Sequence, residues 1–202
     1  KDKKILQMTY NKSLKFEVRK KIEKEKVENL NVHTYHSLAV CYYRDTAFVD
    51  NELRKIVVNK EKPQQAIPNI DILVLDETQD MTYLYFQFMC KFLFDINKKV
   101  QLLILGDYMQ GLYEFKGADI RFLTKASESW EGFSYLKSQD FVQATLQTSY
   151  RITNQMAHFV NKDMLGDERI HACREGSPVV YIRRPRYLLE KIVVYNIKQL
   201  LE

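Results

Sequence analysis

Leu73-Val74-Leu75 runs directly into Asp76-Glu77-Thr78-Gln79-Asp80, and a second apolar run, Val100 to Leu105, ends in Gly106-Asp107. An Asp delivered by an apolar strand can hold a divalent cation such as Mg²⁺, usually through water, and an adjacent Glu can orient or deprotonate an attacking water. Asp-Glu after a strand also serves simply to cap the next helix, so the pair alone does not decide. Past the second run stand Gln110, Tyr113, Phe115 and Lys116. An amide can report a phosphate oxygen by hydrogen bonding, and aromatic rings stack on bases without reading sequence. Taken singly, Tyr113 and Phe115 fit core aromatics equally well, Arg151 fits a surface ion pair, and His36 fits a hydrogen-bonded structural histidine. His33, His36 and Cys41 lie close together, but no second ligand pair accompanies them as a metal site would need.

These residues need a frame. Ile5 to Thr9 reads as a short buried strand, followed by a helix from an N-cap at Ser13 to about Glu25, with Leu14, Val18 and Ile22 as its buried stripe. Asn31 to Thr34 reads as another strand, with a helix beginning near Ser37. Residues 45–69 are mixed and polar, with Pro63 and Pro68 marking a connector. The continuous run Ile72–Leu75 predicts a strand covered on both faces, Thr82 to Asp95 a helix, and Val100–Leu105 a further strand. Strands alternating with helices imply a parallel α/β sheet, in which ligands bind at the carboxyl ends of strands. Both apolar runs deliver their acidic residues to that edge. Near residue 146 the character changes. A helix from Thr153 to Leu165, a strand at Val179–Ile182 and a last helix from Tyr187 read as the start of a second α/β unit.

The 202 residues carry a formal charge of +5, which suits a polyanion partner without requiring one. Lys12, Lys15, Arg19, Lys20, Lys21, Lys24 and Lys26 crowd one early segment, which a solvated helix face explains as readily. No apolar run is long enough to span a bilayer, so no membrane partner is expected. Three widely spaced cysteines form no disulfide framework, which fits an intracellular protein.

The string Asp76-Glu77-Thr78-Gln79-Asp80 resembles the Walker B box of superfamily 1 helicases. Gly106-Asp107-Tyr108-Met109-Gln110-Gly111-Leu112-Tyr113-Glu114-Phe115-Lys116-Gly117-Ala118 resembles the third box of the UvrD/Rep family, GDxxQxIYxFxGA. Leu146-Gln147-Thr148-Ser149-Tyr150-Arg151 is similar to the fourth, LxxNYRS, with Ser149 where Asn is usual. Thr9-Tyr10-Asn11-Lys12 resembles TFTNKA, and Thr34-Tyr35-His36-Ser37-Leu38 resembles TFHSLA. Five boxes in the family's own order carry the resemblance over residues 9–151.

The resemblance implies an ATP-dependent DNA helicase or translocase of the UvrD/Rep type, moving 3′ to 5′, with ATP and Mg²⁺ as cofactors and single-stranded DNA, or a single-strand/duplex junction, as partner. It implies a RecA-like parallel sheet flanked by helices over residues 1–146, and the start of a second RecA-like domain over 147–202. Asp76 would hold Mg²⁺, Glu77 would act on water, Gln110 and Arg151 would read the γ-phosphate, Gln79 would line the nucleotide and Tyr150 would stack near adenine. Thr9, Tyr10, Asn11, Lys12, Thr34, Tyr35, His36, Tyr113, Phe115 and Lys116 would line the DNA track. The chain departs from the family in having no Gly-x-x-x-x-Gly-Lys-Ser/Thr loop. It is therefore expected to be a fragment beginning after that loop, to need the remainder of the motor domains, and to hydrolyse ATP poorly alone. Only residues 38–71 separate the TFHSLA-like box from the Walker B-like box, so any helical insertion there is small. A non-hydrolysing helicase-like module that binds nucleic acid or protein is the alternative.

Overall fold

The computed structural model describes residues 3–138 and 140–181; the helix expected from Tyr187 lies outside them. The chain divides into two compact units, Lys1–Val142 and Gln143–Glu202. The first is built on four parallel strands: β1 (Ile5–Met8), β2 (Leu30–His33), β3 (Ile72–Leu75) and β4 (Gln101–Ile104), in spatial order β2-β1-β3-β4. The register brings Met8 level with His33 and Leu75, and Leu75 level with Ile104. All four carboxyl ends therefore open on one edge. No helix among the described residues is long and apolar enough to cross a membrane.

Helix α1 (Lys12–Glu25) starts earlier than a cap at Ser13 predicted, because Asn11 is the N-cap and accepts from the Ser13 amide. Its Leu14, Val18 and Ile22 stripe is present but only half-buried. Helix α2 (Tyr35–Tyr42) begins before Ser37, since Thr34 and Ser37 cap each other reciprocally. Residues 45–69 are not a plain connector. Helix α3 (Asp50–Val58) lies inside them, burying Leu53 and Ile56 one turn apart. Arg44 ties Glu52 at its start to Glu61 beyond its end.

Helix α4 (Tyr83–Ile96) is capped by Thr82 and buries Leu84, Tyr85, Phe88, Met89, Phe92 and Leu93. That spacing is the apolar stripe of a core-facing helix, and each large side chain so buried contributes about 1.5–3 kcal/mol. It packs on α3. Lys91 and Asp95 pair at 2.5 Å with little exposure, and Asp95 also accepts from the Tyr43 hydroxyl at 2.6 Å. Strand β4 forms within the apolar run at Val100–Leu105 but is less covered than β3. It ends the sheet among the described residues, and Leu103 is 47% exposed. Two short helices, α5 (Arg121–Thr124) and α6 (Ala126–Ser129), lead to Trp130, which is buried against Phe86 and Phe133.

In the second unit β5 (Thr148–Ser149) pairs in parallel with β6 (His171–Ala172). Thr153 caps α7 (Asn154–His158), which widens into a π-type turn over Phe159–Leu165 and stops at Gly166, whose φ is +69°. The strand expected at Val179–Ile182 does not form over Val179–Tyr181. Val180 and Tyr181 are exposed there, and among the described residues the short strand of this region is β6.

Candidate nucleotide and nucleic-acid site

Where β3 ends, the chain turns sharply to present its carboxylates. Asp76 is half-buried and accepts from Gln7 Nε2 at 2.8 Å and from the Glu77 amide at 3.1 Å. Burial, together with the neighbouring Glu77 charge, pushes the Asp76 carboxyl above the usual range. Glu77 is in the left-handed region, φ +53° and ψ +43°, which a residue with a Cβ adopts at a cost of about 1–3 kcal/mol. Its side chain accepts from Gln79 Nε2 at 2.5 Å. Two adjacent carboxylates with only amide donors as partners form a site that a divalent cation would relieve, since the cation favours the charged form. Among the described residues no group of three or more His, Cys, Asp or Glu could hold a metal. A cation here would draw its remaining ligands from water and substrate oxygens, as Mg²⁺ commonly does.

Gln79 links this strand end to the next. It is buried, and its Oε1 accepts from the Asp107 amide at 3.1 Å. The close approach depends on Gly106. A Cβ there would stand 2.5 Å from Gln79 Oε1 and 3.3 Å from the Thr78 amide nitrogen. Asp107 in turn accepts from Gln110 Nε2 at 2.9 Å. Asp76, Glu77, Gln79, Asp107 and Gln110 thus form one hydrogen-bonded series across the ends of β3 and β4.

The aromatic residues separate into two sets. Tyr10 stacks on Tyr113 at 5.4 Å between ring centroids, and Tyr113 lies 6.2 Å from Phe115. Phe115 is 80% exposed, and Lys116 Nζ sits over both rings, 5.0 Å from Tyr113 and 5.6 Å from Phe115. Tyr35 is different. It is buried and lies flat on Tyr85, 4.4 Å away at 7°. The track position expected for Tyr35 is corrected by that burial: its ring belongs to the core. Thr34 likewise spends its hydroxyl capping α2.

Thr9 is fully buried at the end of β1, with its Oγ1 unpartnered. His36 Nε2 lies 3.0 Å from Asp50 Oδ1, within ion-pair range but off the line of a hydrogen bond. His33 faces Ser37, and Cys41 is exposed, so His33, His36 and Cys41 do not converge. Asn11 caps α1, and Lys12 is exposed in its first turn.

Tyr150 and Arg151 belong to the second unit, where both are exposed and the Arg151 carbonyl accepts from Arg174. Sequence reasoning missed Gln7, Asp107 as a partner of Gln110, and the Tyr85–Asp50 pair at 3.1 Å. Gln7 carried a signal: it is the polar member of an otherwise apolar strand. Tyr85 carried none, because its helical spacing makes it look like any core aromatic.

A parallel α/β sheet flanked by helices, with acidic residues gathered past the ends of neighbouring strands, has the architecture of RecA-like, AAA-type proteins. That class works through nucleotide-dependent activity of the P-loop type. The sequence matches the family model of an AAA domain over residues 1–116, more than half of the chain, and the chain belongs to that family. The domain is one found in UvrD/Rep-like helicases. No curated protein matches the chain.

Proposed function

We propose that the chain is part of an ATP-driven DNA helicase or translocase that moves along single-stranded DNA, 3′ to 5′. The observation that carries this reading is the Gln79 bridge. One buried amide contacts Glu77 at the end of β3 and the Asp107 amide at the end of β4, so the acidic pair and Gln110 answer to each other. In this reading Asp76 holds Mg²⁺, which supplies charge neutralisation at the phosphates when bound. Glu77 takes a proton from the attacking water. Gln110 and Arg151 contact the γ-phosphate, and Arg151 stabilises charge there as a planar, permanently charged group. Gln79 lines the nucleotide, and Tyr150 stacks near the base.

The Tyr10–Tyr113–Phe115 row with Lys116 and Lys12 serves as the DNA track. Its rings, of which Phe115 is exposed and Tyr10 and Tyr113 are half-buried, stack on bases and its ammonium groups meet phosphates.

DNA-stimulated ATP hydrolysis by the product of the whole gene tests the assignment. Glu77→Gln should lower turnover by about 10²–10⁴, the usual worth of a general base, and leave nucleotide binding intact. Turnover retained by that variant would sink the assignment of Glu77, and no turnover in the unaltered protein would leave a non-hydrolysing binding module.

A further inference from the structure

The aromatic row ends at Tyr10, one residue before the N-cap of α1, and the basic segment of the sequence begins there. Between Lys12 and Lys26 seven Lys or Arg accompany three Glu. Over the helix, Lys12, Phe16, Lys20 and Lys24 recur every fourth residue. Such residues follow one another about 6 Å apart along the axis, in a stripe that winds by roughly 40° per step. All four are exposed, and Phe16 is 58% exposed with Lys15 Nζ 5.2 Å from its ring centroid. Among the described residues Lys12, Lys20 and Lys24 make no ion pair, whereas Lys21 is taken up by Glu17.

The first turn of α1 holds no acidic residue, so Lys12 stands unrelieved at the positive end of the helix dipole. Arg19 is anchored on the Val32 carbonyl, and its charge, after burial, helps depress both Lys15 and His33. A merely solvated face gains nothing from a bare phenyl ring among unpaired lysines. A strand of bases and phosphates matches both.

We propose that α1 prolongs the single-strand track beyond Tyr10, with Phe16 as a further base-stacking side chain and Lys20 and Lys24 as phosphate-binding groups. This rests on the reading of Tyr10, Tyr113 and Phe115 as a track and extends it by about 20 Å, the length of a helix of this size.

The test is fluorescence anisotropy of the full 202-residue chain with labelled oligothymidylate of about four nucleotides, near the smallest single-strand site sizes, and with a longer one of about sixteen. Phe16→Ala should weaken binding of the longer probe about 5- to 150-fold, the equivalent of one base–aromatic stack of about 1–3 kcal/mol. Lys20→Gln with Lys24→Gln should reduce the slope of log K against log salt by about 1.4, or about 0.7 for each phosphate that a lysine neutralises on a single strand. The short probe, held by the aromatic row alone, should be unaffected by either. If the longer probe ignores both changes while Tyr113→Ala and Phe115→Ala still weaken it, the extension is overturned and the row stands. If the unaltered chain binds neither probe, row and extension are overturned together.

Discussion

Replacing Gly106 by alanine should break the connection between the ends of β3 and β4. The new Cβ would stand 2.5 Å from Gln79 Oε1, so the buried amide must leave its place. Gln79 would then lose its bond from the Asp107 amide and its bond to the Glu77 carboxylate. A neutral hydrogen bond is worth about 0.5–1.5 kcal/mol net and one to a charged group about 1.5–3. The loss is therefore about 2–4.5 kcal/mol, which for a unit of this size lowers Tm by roughly 6–16 °C.

Trp130 is the only tryptophan, and it is buried in the first unit. Thermal unfolding followed by its fluorescence thus reports this unit. Gln79→Ala removes the group that the new methyl strikes. In that background Gly106→Ala should cost far less, with a coupling of at least about 1 kcal/mol between neighbouring sites. A Tm within a degree or two of the parent, or strictly additive losses, would show that Gln79 does not depend on the missing Cβ.

Two other parts of the first unit give measurable outcomes. Burial, with Arg19 and Lys15 nearby, lowers the His33 pKa to about 4. The unfolded chain, near 6.5, then binds the proton first, so stability is lost as pH falls from about 6.5 towards 4. With screening of this part-exposed ring the loss is on the order of 2 kcal/mol. His33→Gln should flatten Tm over that window, and an unchanged slope would assign the pH dependence to other groups. Asp95→Ala would strand both Lys91 and the Tyr43 hydroxyl. Breaking a buried pair costs about 3–5 kcal/mol, measured as a shift in urea midpoint, and Asp95→Ala with Lys91→Met should recover part of it.

The strands and their acidic ends were legible because a parallel sheet needs apolar runs, and here each run stops at the edge where the polar residues begin. Helix α3 was not legible. Its two buried residues, Leu53 and Ile56, are too few to set a period, and Val49 at its N-cap offers no side-chain bond. The start of α2 was displaced for a related reason: the helix expected near Ser37 begins at Tyr35, because Ser37 is the third residue of a capping box opened by Thr34. The Tyr10–Tyr113 stack joins residues more than a hundred positions apart, so spacing could name both rings but not pair them. Tyr35 shows the limit of reading a box by residue type. Its chemistry suits a base, yet the flat stack on Tyr85 is decided by the packing of α2 against α4.

Glu77 sits where its backbone would be more comfortable as glycine or asparagine. Either residue would relieve the backbone and at the same time remove the carboxylate that accepts from Gln79. On the proposed role of Glu77, a left-handed glutamate between Asp76 and Thr78 records a second pressure on the chain. Libraries built to stabilise this domain should hold position 77 fixed and seek their gains in α4 and its surroundings.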